Sequence, residues 1–471
     1  MRMQKHLSLL FIFSVIALFQ FSCRKQEQID QSPGLRLNFS TDTVFFDTVF
    51  PSIGSITKRL TVYNPNENKI KISKINLSGG QLSNYRINID GVPTLSAIDV
   101  EIPGNDSIFI FVKVTIDPND QNIPFVVSDS ISFETNGTLQ QVKLVAWGRN
   151  AFFYRDGLLK GNVTWDSLRA HVVYGSIRVD TNSSLTILPG TRVYFHKDAY
   201  MAVSFQGTLK IPGTNDHPVR FQGDRLDPFY KDLPGQWGGI FLEQGSKDHE
   251  INHTYIKNGI FGILADQPLT ITAPMLTISN SIIQNMTSTG IYAVGTSILS
   301  TNCVIGDCGG SCVDINYGGS YDFRQLTVGN YWYASVRHSS SVYISNYAYD
   351  TSGQKISKPL TKAFFGNAIL YGTNDDEIQL DSVPGVLFEY IFDHAIIKTQ
   401  MSISNSARFL NCQANKDPRF VKVQEWNYQI DSLSPAIDQG ADMGVPFDIR
   451  GNARSLPPDL GAYEYIKSIN K

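Results

Sequence analysis

Asp375, Asp376 and Glu377 form one acidic run, with Asp381, the pair Asp393-His394 and then Arg408 further along. Carboxylates near an imidazole and a guanidinium can hold and move protons, the chemistry that general acid–base cleavage of a polymer needs. Asp375-Asp376 stands beside Gly372-Thr-Asn374, however, and reads as a solvated turn, while Asp393-His394 reads as the end of a strand. No catalytic residue is therefore expected, and Asp375, Asp376, Glu377, Asp393, His394 and Arg408 are the candidates only if the chain is an enzyme. Tyr331-Trp332-Tyr333 places three rings together, and rings bury much area at low entropic cost, so these three form the expected sugar-binding site. Trp237 and Trp426 are further rings of that kind, whereas His196, His253 and His338 stand alone and receive no role. Cys303, Cys308 and Cys312 have no His near them and make a poor zinc site, so no metal and no cofactor are expected. If a disulfide forms outside the cytoplasm, it joins two of these three thiols, and Cys412 remains a buried small hydrophobe.

The elements that must position these groups are strands of an exported chain. Charged residues are 18% of the 471, below the ~25% of ordinary globular chains, while 42% are apolar and 11% aromatic. That composition excludes a disordered chain, and a net charge of −3 supplies no field for nucleic acid. Arg2 and Lys5 precede an apolar run from Leu7 to Phe21, too short for the about 20 residues that span a bilayer. Ser22-Cys23 follows, and this ending resembles a bacterial lipoprotein signal in which Cys23 becomes lipidated, although Gln20 departs from the usual leucine. The expectation is a signal peptide over 1–22, a tether over 23–34, and an outer-membrane lipoprotein held by its lipid alone.

Between residues 35 and 150 the pattern alternates with period two, as in Lys58-Arg-Leu-Thr-Val-Tyr63 and Ser107-Ile-Phe-Ile-Phe-Val112. Breaks at Asn64-Pro-Asn66, Ser78-Gly-Gly80 and Pro103-Gly-Asn105 divide it into about seven short strands, the signature of an antiparallel sandwich. Leu60-x-Val-x-Asn64, the Ile102-Pro-Gly104 turn and Val142-x-Leu-x-Ala-x-Gly148 resemble bacterial Ig-like domains, which space or bind.

Beyond the sandwich the chain repeats. Steps of 22 residues from Asn258 reach Asn280, Asn302, Arg324 and Asn346; a step of 21 reaches Asn367, and two more of 22 reach Glu389 and Asn411. Two residues after these slots stand Ile260, Ile282, Val304, Leu326, Ala348, Ile369, Ile391 and Gln413, all but the last apolar. Such a period, rich in Ile and Val, fits a right-handed parallel β-helix, with Asn258, Asn280, Asn302, Asn346, Asn367 and Asn411 as a structural ladder of stacked amides. Arg324 and Glu389 interrupt it. The loop 348–363 between them, flanked by the aromatic triplet and the acidic run, is the expected recognition surface.

Leu185-Thr-Ile-Leu-Pro-Gly-Thr-Arg-Val-Tyr-Phe195, Trp237-Gly-Gly-Ile240, Ser434-Pro-Ala-Ile-Asp438 and Asp459-Leu-Gly-Ala-Tyr-Glu-Tyr465 resemble segments of bacterial surface β-helix proteins of the pectate-lyase-like superfamily. The resemblance implies an all-β chain: an Ig-like β-sandwich over 35–150, a β-helix of roughly a dozen rungs over 151–432, and a cap over its end from 433 to 471. It implies a non-enzymatic glycan-binding or scaffolding role at the cell envelope. The alternative is a polysaccharide lyase or glycosidase working on the side of the β-helix, with calcium if a lyase.

Overall fold

Alternating apolar residues build the first strands, and their burial follows the alternation. In Ser107–Val114 the side chains of Ile108, Ile110, Val112 and Val114 are buried, while Phe109, Phe111 and Lys113 face outward. The computed structural model describes residues 28–49, 55–116, 125–148, 150–226, 230–269, 273–405 and 407–467, so Cys23 and the apolar run before it lie outside the described residues. The chain divides into two compact units, 1–149 and 150–471.

In the first unit, two five-stranded sheets enclose a core that includes Phe46, Leu60, Tyr85 and Phe133. Among the described residues the strand pairings are antiparallel except that of Thr43–Val49 with Thr138–Gly148, and one isolated bridge, Ile29 to Lys69, is also parallel. The Asn64 amide donates to the carbonyls of Asn68, Ile102 and Pro103, which ties two turns together. Gly104 must lack a side chain there, because a Cβ would lie 1.9 Å from the Glu67 carbonyl oxygen.

The second unit is a right-handed parallel β-helix made from one 26-stranded sheet. Its rungs have three faces, exemplified by Thr254–Lys257, Ile263–Ala265 and Leu276–Ser279; we refer to these as the first, second and third faces. Stacking places like side chains above one another. Phe221, Ile256, Ile283, Ile305, Val328, Leu370 and Ile397 form one buried file on the first face. On the third face Phe323, Phe365, Phe392 and Phe409 stack with ring centroids 5.0, 5.1 and 5.3 Å apart. Each such burial stabilises by about 1.5–3 kcal/mol. The third face counts ten strands in register among the described residues, from Asn162–Trp165 to Phe409–Leu410, fewer than the dozen expected because loops lengthen several rungs.

The corner between the third and first faces corrects the expected ladder. Its left-handed residues are His253, Asn280, Asn302, Gln325, Asn367, His394 and Asn411, with φ between 42 and 53°. The Asn302 amide donates to Asn280 Oδ1 at 3.1 Å, and Asn280 to Asn252 Oδ1 at 2.9 Å. Gln325, not Arg324, occupies its rung, and His394, not Glu389, occupies another. Arg324 instead pairs with Asp322 at 2.9 Å, and Glu389 with Arg408 at 2.6 Å. Asn346 lies outside the ladder, on the turn from the second to the third face, where it accepts from the Val383 amide at 2.8 Å. Asn258 belongs to a second ladder at the opposite end of the first face, accepting from Asn285 at 2.8 Å with Asp307 on the next rung.

The C-terminal segment also departs from expectation. It runs along the side of the β-helix against the corner ladder: Asn302 donates to the Phe447 carbonyl (2.7 Å), Asn367 to Ala441 (2.7 Å), and Asn215 to Arg450 (3.1 Å). Arg454, buried to 2% exposure, donates to Asn302 Oδ1 at 2.9 Å. Asp448 and Asp459 hold its turns by accepting from backbone amides at Arg450, Asn452, Asp438 and Tyr465. The segment is a lateral strap, because its apolar residues Ile430, Ala436 and Leu460 pack on Ile369 and Ile396 of the first face.

Candidate functional site

The second face is where side chains fit for recognition gather. Its strands Ile240–Leu242, Ile263–Ala265, Ile291–Val294, Val313–Asn316, Val342–Ser345 and Ile378–Asp381 bury alternate residues and turn the intervening ones outward. In register, the outward file reads Phe241, Leu264, Tyr292, Asp314, Tyr343 and Gln379. Rings continue it at one end: Tyr200 meets Phe241 at 5.5 Å, Phe241 meets Phe261 at 6.3 Å, and Phe261 meets Tyr292 at 6.2 Å, all edge to face.

At the other end lie two carboxylates. Asp314 Oδ1 accepts from the Asn316 amide at 2.5 Å, and burial pushes its carboxyl up to about 6 against that bond. Asp381 Oδ2 accepts the hydroxyls of Tyr347 at 2.5 Å and Tyr343 at 3.4 Å, and its bond to Tyr347 holds that phenol well above its usual range. Tyr347 belongs to a hairpin in which Tyr347–Tyr349 pairs with Lys355–Ser357, inside the loop 348–363 singled out above and reaching just ahead of it. The Lys355 ammonium lies 3.9 Å from the Tyr347 ring centre, and Tyr349 is 62% exposed. The strip can therefore stack on apolar faces of a ligand, accept its hydroxyls, and near pH 6 donate one hydrogen bond from Asp314. Among the described residues no group of three or more His, Cys, Asp or Glu side chains is placed to hold a metal ion.

The sequence candidates are dispersed. Asp375 is exposed on the turn between the first and second faces, and Asp376 accepts from the Thr399 hydroxyl at 2.9 Å. Glu377 is fully buried; both its oxygens are engaged by Arg337, at 2.5 and 2.8 Å, and by Ser341. Asp393 and His394 bond each other at 2.7 Å at the ladder corner, and Arg408 is held by Glu389. These six share no cleft. Tyr331 packs between Phe420 and Tyr428, Trp332 is 8% exposed and donates to Ser335 at 2.9 Å, and Tyr333 alone of the triplet is exposed. Trp237 is fully buried, stacked 4.3 Å from Phe195. All four described cysteines are free thiols. His196 is not isolated, since its Nδ1 lies 2.8 Å from the buried Asp224 carboxylate.

The strip itself went unread. Its signal was a lone polar or aromatic residue between two aliphatics: Ile240-Phe-Leu242, Ile291-Tyr-Ala293, Val313-Asp-Ile315 and Val342-Tyr-Ile344. Uneven rung lengths hid the repetition.

One family comparison agrees with the architecture of the second unit. Residues 157–255 match the pectate-lyase like beta helix domain. No curated protein matches the chain. Among solved structures, a family 123 glycoside hydrolase from Clostridium perfringens, studied for glycolipid glycan hydrolysis, aligns at 10% identity over 26% of each chain, with a TM-score of 0.19. A protein of unknown function from Porphyromonas gingivalis W83 aligns at 12% identity over 26% of this chain and 60% of its own, with a TM-score of 0.18. The catalytic domain of a GH87 alpha-1,3-glucanase in complex with tetrasaccharides aligns at 9% identity over 75% of this chain and 91% of its own, with a TM-score of 0.16. The chain thus spans about a quarter of the first of these and more of the other two.

Proposed function

We propose that this chain is a lipid-anchored cell-envelope protein whose β-helix binds glycan along its second face without cleaving it. The observation that supports the reading is the file of rings from Tyr200 through Phe241 and Phe261 to Tyr292, running into Asp314 and Tyr343. Rings that run into hydroxyl acceptors on a rigid sheet suit an extended sugar chain, which offers apolar ring faces and hydroxyl edges. Asp381 is occupied by two phenols, as a positioning group would be rather than a free base.

A glycosidase is the second reading, and one observation favours it. Asp314 is held near a pH at which it could protonate a leaving oxygen, with Asp381 two rungs away, about 10 Å along the stack. One experiment separates the two. The full chain is incubated with a panel of polysaccharides, and retention and release of reducing ends are measured together. Retention without new reducing ends supports binding; release that Asp314→Asn abolishes would replace it with the enzyme; no retention contradicts both.

A further inference from the structure

The first face carries a groove that neither the aromatic triplet nor the second-face strip includes. Here the outward file reads Arg192, Arg220, Tyr255 and Ile282, beside a file holding Tyr194 and Gln222, then Lys257 and Gln284. The strap covers this face from Val304 onward, and the edge of that cover is formed by Trp426, which packs with Tyr428, Val304 and Ile282. Where cover gives way to open sheet lies a cavity of about 250 Å³, lined among others by Arg220, Gln222, Tyr255, Lys257, Gln284 and Trp426.

Its lining points to a ligand. The Arg220 guanidinium lies 4.8 Å from the Tyr255 ring centre and, among the described residues, meets no carboxylate and no hydrogen-bond acceptor. The side-chain amides of Gln222 and Gln284 likewise make no hydrogen bond among the described residues, so donors and acceptors converge unused. Arg192 stands directly opposite Arg220 on the neighbouring strand. The lining holds no carboxylate. Trp426 adds a strained backbone, φ 59°, in a region bulky residues rarely adopt, and such strain concentrates at binding sites.

We propose that this groove binds an anionic polysaccharide, with Arg220 on its carboxylate or sulfate, the two Gln amides on its hydroxyls, and Trp426 against a sugar ring. A planar guanidinium engages either anion through paired hydrogen bonds. The inference shares only its ligand class with the function proposed above, since the site lies on a different face.

The test uses the full chain with polygalacturonate, heparin and neutral dextran as probes, at about 50 and 200 mM salt. Retention of either anionic probe, weakening as salt rises, is expected, and which one is retained identifies carboxylate or sulfate. Arg220→Gln should weaken it about tenfold or more at unchanged melting temperature, because among the described residues the guanidinium has no partner beyond the Tyr255 ring. Trp426→Phe should weaken it while keeping the strap packed, and Lys247→Gln, an exposed cation outside both proposed sites, should not affect it. Equal binding by Arg220→Gln, an equal loss on Lys247→Gln, or equally tight binding of a polyuridylate control would each overturn the proposal. If neutral glycans bind and no anionic probe does, this site fails while the second-face reading stands.

Discussion

Asp307 illustrates how a residue's role depends on what stacks around it. It holds a left-handed position (φ 51°) in the second ladder, above Asn285, and accepts the hydroxyl of Tyr428 from the strap. Tyr428 fits there because Gly306 and Gly329 lack side chains; a Cβ on Gly329 would lie 2.3 Å from the ring. Burial pushes the Asp307 carboxyl up to about 7, with the Tyr428 hydroxyl opposing. A raised folded value means the native state keeps a proton that the unfolded chain gives up above about 4, so this residue's contribution falls as pH rises from about 4 to about 7. Asp307→Asn keeps the acceptor and removes the titration. Its melting temperature should match the parent near pH 4, exceed it increasingly up to about pH 7, and hold a constant margin above that; parallel curves would show that Asp307 is not the buried acid described. None of this was legible in the sequence, because Asp307 meets Tyr428 across 121 positions of chain.

At the scale of elements, the period was legible and the register was not. The slots after Asn280 and Asn302 are apolar because rung length stays close to 22 over Asn280, Asn302 and Gln325, whereas those after Asn258, Asn346 and Glu389 are apolar although they lie off this ladder. Between Gln325 and Asn367 the insertions around 331–341 and 346–359 stretch one rung, and the first of two steps across it falls on Asn346 by accident. The rung from Asn258 to Asn285 is similarly long, which placed Asn258 in the wrong ladder. The corrected register predicts where stability resides. Asn302→Leu removes bonds to Asn280, Phe447 and Arg454 and should cost about 3 kcal/mol in denaturant unfolding. Gln325 reaches the Gly461 and Asp459 carbonyls and the Asn367 amide, so Gln325→Leu should cost a similar amount. Arg324→Leu, which loses a partly exposed pair with Asp322 and one bond to the Met443 carbonyl, should stay within about 1 kcal/mol. A larger loss at Arg324 than at Gln325 would restore the register read from sequence.

At the scale of the molecule, the all-β class was legible from alternation and from the ladder's Asn residues, whereas the strap was not. Its turns, rich in Asp, Gly and Pro, read alike whether they cover an end or a side, and only the partners of Asn302 and Asn367 distinguish the two. The proposed anchor makes a prediction here. Cys23→Ser should move the protein from the membrane to the soluble fraction, because stable attachment takes two or more acyl chains and removal of the thiol removes the attachment point. Undiminished membrane retention would contradict lipidation at Cys23.

The central claim is that the ring and carboxylate file of the second face holds glycan, and a paired variant tests it most directly. Tyr292 and Tyr343 are partly exposed, lie two rungs apart in one register, and flank Asp314. Replacing both with Ala removes two stacking faces and leaves the inward Ile and Val residues untouched. The measurement is glycan affinity of the full chain and the double variant, alongside the melting temperature of each. With about 1–3 kcal/mol per lost ring, affinity should fall at least about tenfold while melting shifts by only a few degrees. Unchanged affinity with the fold intact would contradict the account.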